Sequence, residues 1–182
     1  LGAGEPIPLD KLGLSSHNLE TCKATVSKPY GLFFVCGPTG SGKTTTLHSV
    51  LGYLNRPDTK IWTAEDPVEI TQRGLRQVQV NPKAGLTFGE MRDKETVATA
   101  IEASLTGHLV LATLHTNSAP ESIVRLLDLG MDPFNFADAL LGVLAQRLAR
   151  RLCTSCRRAR VATPVELAAL LDEYALELTV ID

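Results

Sequence analysis

Apolar positions along this chain alternate between short unbroken runs and runs of helical period. Gly31-Leu32-Phe33-Phe34-Val35-Cys36 and Leu109-Val110-Leu111-Ala112-Thr113-Leu114 have the length and continuity of buried strands. Lys60-Ile61-Trp62-Thr63-Ala64 predicts a further strand ending at Glu65-Asp66-Pro67, and Gln77-Val78-Gln79-Val80 a short one with two-residue alternation. Helical spacing lies between them. Leu47, Val50, Leu51 and Leu54 share one face of a helix over 45–54, and Lys94 to Leu105 predicts another, stopped by Gly107. Ser118 with Glu121 forms a capping-box signal for a helix ending at Gly130. Pro133 is expected to open a longer helix whose apolar face holds Phe134, Ala137, Leu140, Leu141, Leu144 and Leu148. Thr163-Pro164-Val165-Glu166 starts the last helix with a second capping box and Pro in its first position. Strands that alternate with helices predict an α/β fold, a mostly parallel sheet covered by helices on both faces. There is no internal repeat and no low-complexity tract.

The segment joining the first strand to its helix carries chemistry. Gly37-Pro38-Thr39-Gly40-Ser41-Gly42-Lys43-Thr44 fills every fixed place of the phosphate-binding pattern G-x-x-x-x-G-K-[ST], between a strand and a helix as that pattern requires. Its glycines let backbone N–H groups converge on phosphate oxygens, and the helix N-terminus adds about half a positive charge. Lys43 is expected to reach the β- and γ-phosphates of ATP, and the Thr44 hydroxyl to ligate Mg²⁺.

Composition narrows the class. At 182 residues, with 44% hydrophobic and 21% charged residues, the chain has the make-up of one soluble α/β unit with room for a small appendage. A formal charge of −2 gives no general pull toward nucleic acid. Asp138 breaks the longest apolar stretch, and Leu1 has no basic flank behind an initiator Met, so neither a transmembrane helix nor a signal peptide is expected. The leading Leu suggests a fragment.

Several blocks in order make the chain resemble the motor domain of the type II secretion and type IV pilus assembly ATPases. They are the phosphate loop, Trp62-Thr63-Ala64-Glu65-Asp66-Pro67-Val68-Glu69, Gly89-Glu90-Met91-Arg92-Asp93, the histidine block from Thr106 through His108 and His115 to Asn117, and Leu144-Ala145-Gln146-Arg147-Leu148-Ala149-Arg150-Arg151-Leu152-Cys153. The resemblance implies a RecA-like P-loop NTPase core that uses ATP and Mg²⁺ within a hexameric ring. Such a ring would work on the cytoplasmic face of the inner membrane, against the membrane-embedded platform proteins of a secretion or pilus machine.

It also implies roles for single residues. Glu65 would hold water or Mg²⁺, with Asp66 and Glu69 nearby; read without the family, these acids are a solvated strand end. Glu90 matches the catalytic glutamate that orients the attacking water, and Arg92 and Asp93 continue its block. His115, just past a strand, could sense the γ-phosphate, while His108 precedes that strand; a lone histidine is otherwise more often structural.

Two departures accompany the resemblance. Phe88 is followed directly by Gly89, where the family has a helix and an apolar strand ending in an acid. The core is therefore expected to lack one family strand, the neighbour of the strand ending at Leu114. The family's N-terminal domain, with its arginines that reach across subunits, is missing, and the C-terminal part stops early. The expected organisation is a linker or N-terminal edge over 1–30, the ATPase core over 31–144, and a truncated C-terminal helical part over 145–182.

Cys153-Thr154-Ser155-Cys156 has the spacing of half a zinc site, without the second pair that the resembling ATPases mostly supply, so zinc is not expected here. Cys22 and Cys36 are isolated, and no disulfide is expected. Arg147, Arg150, Arg151, Arg157, Arg158 and Arg160 crowd one short stretch. A solvated helix end is the default for such a run, and contact with a neighbouring subunit or the platform the alternative. No aromatic residues interleave with these arginines, which argues against nucleic acid. Two other functions stay open: a conjugation or DNA-translocating ATPase of the same superfamily, and a nucleotide-binding module defective in catalysis.

Overall fold

The computed structural model describes residues 6–65, 68, 70–79 and 94–178. Two compact units make up the chain, residues 1–148 and 149–182. In the first, β1 (Gly31–Cys36) is the middle strand of a three-stranded parallel sheet of order β4-β1-β5, where β4 is Leu109–Leu114 and β5 is Leu140–Ala145. β2 (Ile61–Glu65) and β3 (Leu75–Gln79) form a separate parallel pair.

The unbroken apolar run of β1 reflects burial on both faces. Leu32, Phe34 and Cys36 point into a core with Val97 and Ile101 of α3 (Lys94–Leu105), Leu126 of α4 (Ala119–Asp128) and Phe136 of α5 (Pro133–Ala139). Phe33 and Val35 face the other way, against Cys22 and Val26 of α1 (Ser16–Val26) and Val50 of α2 (Lys43–Leu54). Successive strand residues alternate sides, so a strand with helices above and below has no polar position to offer. The stretch before β1 thus contributes to the core: a 3-10 turn at Leu9–Lys11 packs beside α1, and Leu9 is buried.

The expectation of one long helix from Pro133 is overturned. The helix begins as read, capped by the Asp132 side chain accepting from the N–H groups of Phe134 and Asn135, but it ends at Ala139. Leu140 turns to extended backbone, and 140–145 becomes β5, paired in parallel with β1. The run Leu-Leu-Gly-Val-Leu-Ala fits either period. The free edge of β1 decides, since its backbone groups would otherwise be buried without partners.

β4 has β1 on one side, and no described strand pairs with its other side. That edge is where the sequence reading expects a family strand to be lacking.

In the second unit, α6 (Pro164–Leu178) starts with the expected reciprocal capping box. Glu166 N–H donates to Thr163 Oγ1 at 3.3 Å, and Thr163 N–H donates to Glu166 Oε2 at 2.9 Å. At α4 the exchange is looser: Glu121 N–H donates to Ser118 Oγ, but the Glu121 carboxylate takes the N–H of Asn117 instead.

Candidate functional site

The phosphate loop leaves the C-terminal end of β1, the central strand. In a parallel sheet the loops that follow neighbouring strands converge at this end and form a ligand crevice. Here β4 delivers His115 and β5 delivers Gln146.

Close backbone approach sets the loop's shape. A Cβ on Gly37, whose φ is 154°, would lie 2.4 Å from the Gln146 carbonyl and 2.5 Å from Ser41 Oγ. Gly42, at φ 85°, takes the left-handed conformation that opens α2. A side chain at Gly37 would push the loop open, and one at Gly42 would strain its left-handed backbone. Ser41 N–H donates to Pro38 O, closing a turn over Pro38, Thr39 and Gly40, and Thr46 N–H donates to Gly42 O.

Lys43 is buried in the first turn of α2. Its ammonium donates to Gly37 O at 2.9 Å and Pro38 O at 3.1 Å, and lies 3.4 Å from His115 Nδ1. The loop's own carbonyls and a residue from the adjacent strand therefore hold the cation where a phosphate would meet it. Ser41 Oγ is buried inside the loop and meets no hydrogen-bond partner among the described residues. A buried hydroxyl in that state normally costs about 1–3 kcal/mol, and a phosphate oxygen would satisfy it. Loop, lysine, helix N-terminus and unsatisfied hydroxyl together fit a nucleotide's phosphate groups. Thr44 stands beside Lys43 on α2, the place from which a hydroxyl can ligate Mg²⁺.

Gln146 braces the loop from the far end of the sequence, a role that sequence reading missed although it lay in a quoted block. Its N–H extends the β1–β5 ladder to Cys36 O at 2.9 Å. Its amide donates to Ser41 O at 2.6 Å and accepts from Thr46 Oγ1 at 2.7 Å.

Glu65 ends β2, half-buried, and accepts from Thr63 Oγ1, Gln77 Nε2 and His48 Nε2. It is held, where a merely solvated strand end would be loose. His48, on α2, was not singled out by the sequence.

His108 falls elsewhere. It precedes β4, with Nδ1–H donating to Ala103 O at 3.2 Å and its own carbonyl accepting from Gly31 N–H. The strand between separates it from the loop's end of the sheet by about 20 Å at ~3.3 Å per residue. Asp66, Glu69, Glu90, Arg92 and Asp93 lie outside the described residues.

Cys153 and Cys156 are exposed around a turn in the second unit. The backbone N–H groups of Ser155 and Cys156 hold the Cys153 thiol below its usual range. Among the described residues, no cluster of three or more His, Cys, Asp or Glu side chains could hold a metal ion. No described helix is long and apolar enough to cross a membrane.

Comparison with known proteins shows the family. The family model described as type II/IV secretion system protein matches residues 4–89 and 87–177, two pieces that meet where Phe88 adjoins Gly89. The type II secretion system protein E of Dickeya dadantii is 47% identical over 84% of this chain, and the type IV pilus assembly ATPase PilB of Thermus thermophilus is 48% identical over 82%. The chain spans 34% and 19% of their respective lengths. The crystal structure of the pilus retraction motor PilT with bound ADP superposes with a TM-score of 0.70 at 32% identity, covering 98% of this chain and 61% of that one. With the fold, the phosphate loop and the family match in agreement over most of its length, this chain belongs to the type II/IV secretion system protein family.

Proposed function

We propose that this chain is the ATP-binding motor core of a secretion or type IV pilus assembly ATPase. The observation that carries the reading is the phosphate loop at the end of the central strand, with Lys43 held beside His115 and the Ser41 hydroxyl buried and unsatisfied among the described residues. ATP would seat its phosphates on the loop N–H groups and draw the Lys43 ammonium from the Gly37 and Pro38 carbonyls onto the β- and γ-phosphates. Mg²⁺, held by Thr44 with the phosphates, would neutralise charge as it develops in phosphoryl transfer. His115, already against Lys43, is suited to register the γ-phosphate. Glu65 would orient a water near the metal, and Glu90 the attacking water. Coupling of this cycle to pilus or pseudopilus assembly would require other subunits of a ring and the inner-membrane platform, on the cytoplasmic face. A binding titration of ATP with Mg²⁺ tests the reading: saturable binding that Lys43→Ala weakens is expected, and equal titrations for the two proteins overturn it.

A further inference from the structure

We propose that His48 is a positioning residue for Glu65, a neutral imidazole that fixes the carboxylate relative to the helix of the phosphate loop. The proposal rests on the reading of Glu65 as the acid that takes a water near bound Mg²⁺.

The hydrogen bonds around the pair leave one assignment. Gln72 Nε2 lies 2.9 Å from His48 O, a carbonyl that can only accept, so this atom is the amide nitrogen. The same nitrogen lies 2.9 Å from His48 Nδ1, and its remaining hydrogen points there. Nδ1 therefore accepts, and the ring proton sits on Nε2. That proton is donated to Glu65 Oε2 at 3.2 Å. Gln77 is fixed in the same way: its Nε2 donates to Ile70 O at 2.6 Å and Glu65 Oε1 at 2.9 Å, while its Oε1 accepts from Gln72 N–H at 2.8 Å.

The carboxylate is consequently almost saturated. Oε1 accepts from Thr63 Oγ1 and Gln77 Nε2, which use both its lone pairs. Oε2 accepts from His48 alone among the described residues and has capacity for one more donor. A group arranged to take one water in one direction has this pattern. His48 is 3% exposed and the Glu65 side chain 15%, so water competes little with the imidazole. His48 lies five residues past Lys43 on α2, about 7.5 Å along the axis at 1.5 Å per residue, so the helix that carries the phosphate loop also carries the donor that aims Glu65.

Two measurements test this. In nucleotide-free protein labelled with ¹⁵N-histidine, long-range proton–nitrogen correlation spectra should place the His48 proton on Nε2, slow to exchange, and Glu65→Ala should make it exchange rapidly. A proton on Nδ1, or exchange unchanged by Glu65→Ala, overturns the proposal. ATP is then titrated with Mg²⁺ and, separately, with EDTA. Mg²⁺ should strengthen binding in the unaltered protein. His48→Phe and Glu65→Gln should each reduce that gain by about tenfold, the worth of a hydrogen bond to a charged group. His48→Gln, whose amide can donate from a similar place, should restore most of the gain, and affinity in EDTA should stay the same for both His48 variants. A His48→Phe loss that is equal with and without Mg²⁺ marks a merely structural histidine and overturns the proposal. A protein that binds no ATP in either buffer refutes the motor-core reading instead, while the tautomer experiment still decides the role of His48.

Discussion

Thr46 Oγ1 donates to Gln146 Oε1 at 2.7 Å, joining two residues a hundred positions apart. The same amide donates to Ser41 O, so one side chain ties the loop to the helix that follows it. Gln146→Ala should leave the Thr46 hydroxyl and the Ser41 carbonyl without this partner and destabilise the nucleotide-free protein by about 1–3 kcal/mol, nearer the lower figure because the site is part-buried. Denaturant midpoints measure it, and an unchanged midpoint would mean that water replaces the amide at no cost.

Lys43→Ala removes the cation held in the loop and should weaken ATP binding by at least about 1.5–3 kcal/mol, as for a lost charge-assisted hydrogen bond. Calorimetric titration gives the number directly.

Ser41→Ala should separate folding from binding. The hydroxyl is buried without a partner among the described residues, so its removal should leave nucleotide-free stability unchanged or higher by up to about 1 kcal/mol, while ATP binding weakens. A fall in stability with unaltered affinity would show that the hydroxyl serves the loop and not the ligand.

Glu166 supplies a pH prediction confined to the second unit. Arg160 first, then the backbone and hydroxyl of Thr163, lower its carboxyl from 4.5 to about 2. Its folded value lies below its unfolded one, so the interaction stabilises the start of α6 fully above about pH 4.5 and is lost as pH falls through about 2. Carbon-detected NMR titration should find this low value and its return toward the ordinary range in Arg160→Ala.

Turnover by this chain alone should be slow. β4 is the edge of its sheet among the described residues, and the family match divides into two pieces that overlap at 87–89, immediately before Glu90. A catalytic group displaced by about 1 Å can cost on the order of a hundredfold in rate. Steady-state phosphate release comparable to that of an intact family member, and abolished by Glu90→Gln, would show that the site assembles across this join.

The parallel α/β class, the bounds of β1 and β4, the starts of α4 and α6 and the phosphate loop were legible in the sequence because each depends on neighbours in the chain. A buried strand reads as an unbroken apolar run, a capping box needs residues three apart, and a phosphate loop needs glycine where the backbone turns. Tertiary structure alone turned 140–145 into a strand, because only the open edge of β1 distinguishes that run from a helix. It alone brought Gln146 to Ser41, His115 to Lys43, and His48 to Glu65. Contacts such as these are set by strand order and by how α2 packs, which the local pattern of side chains does not encode.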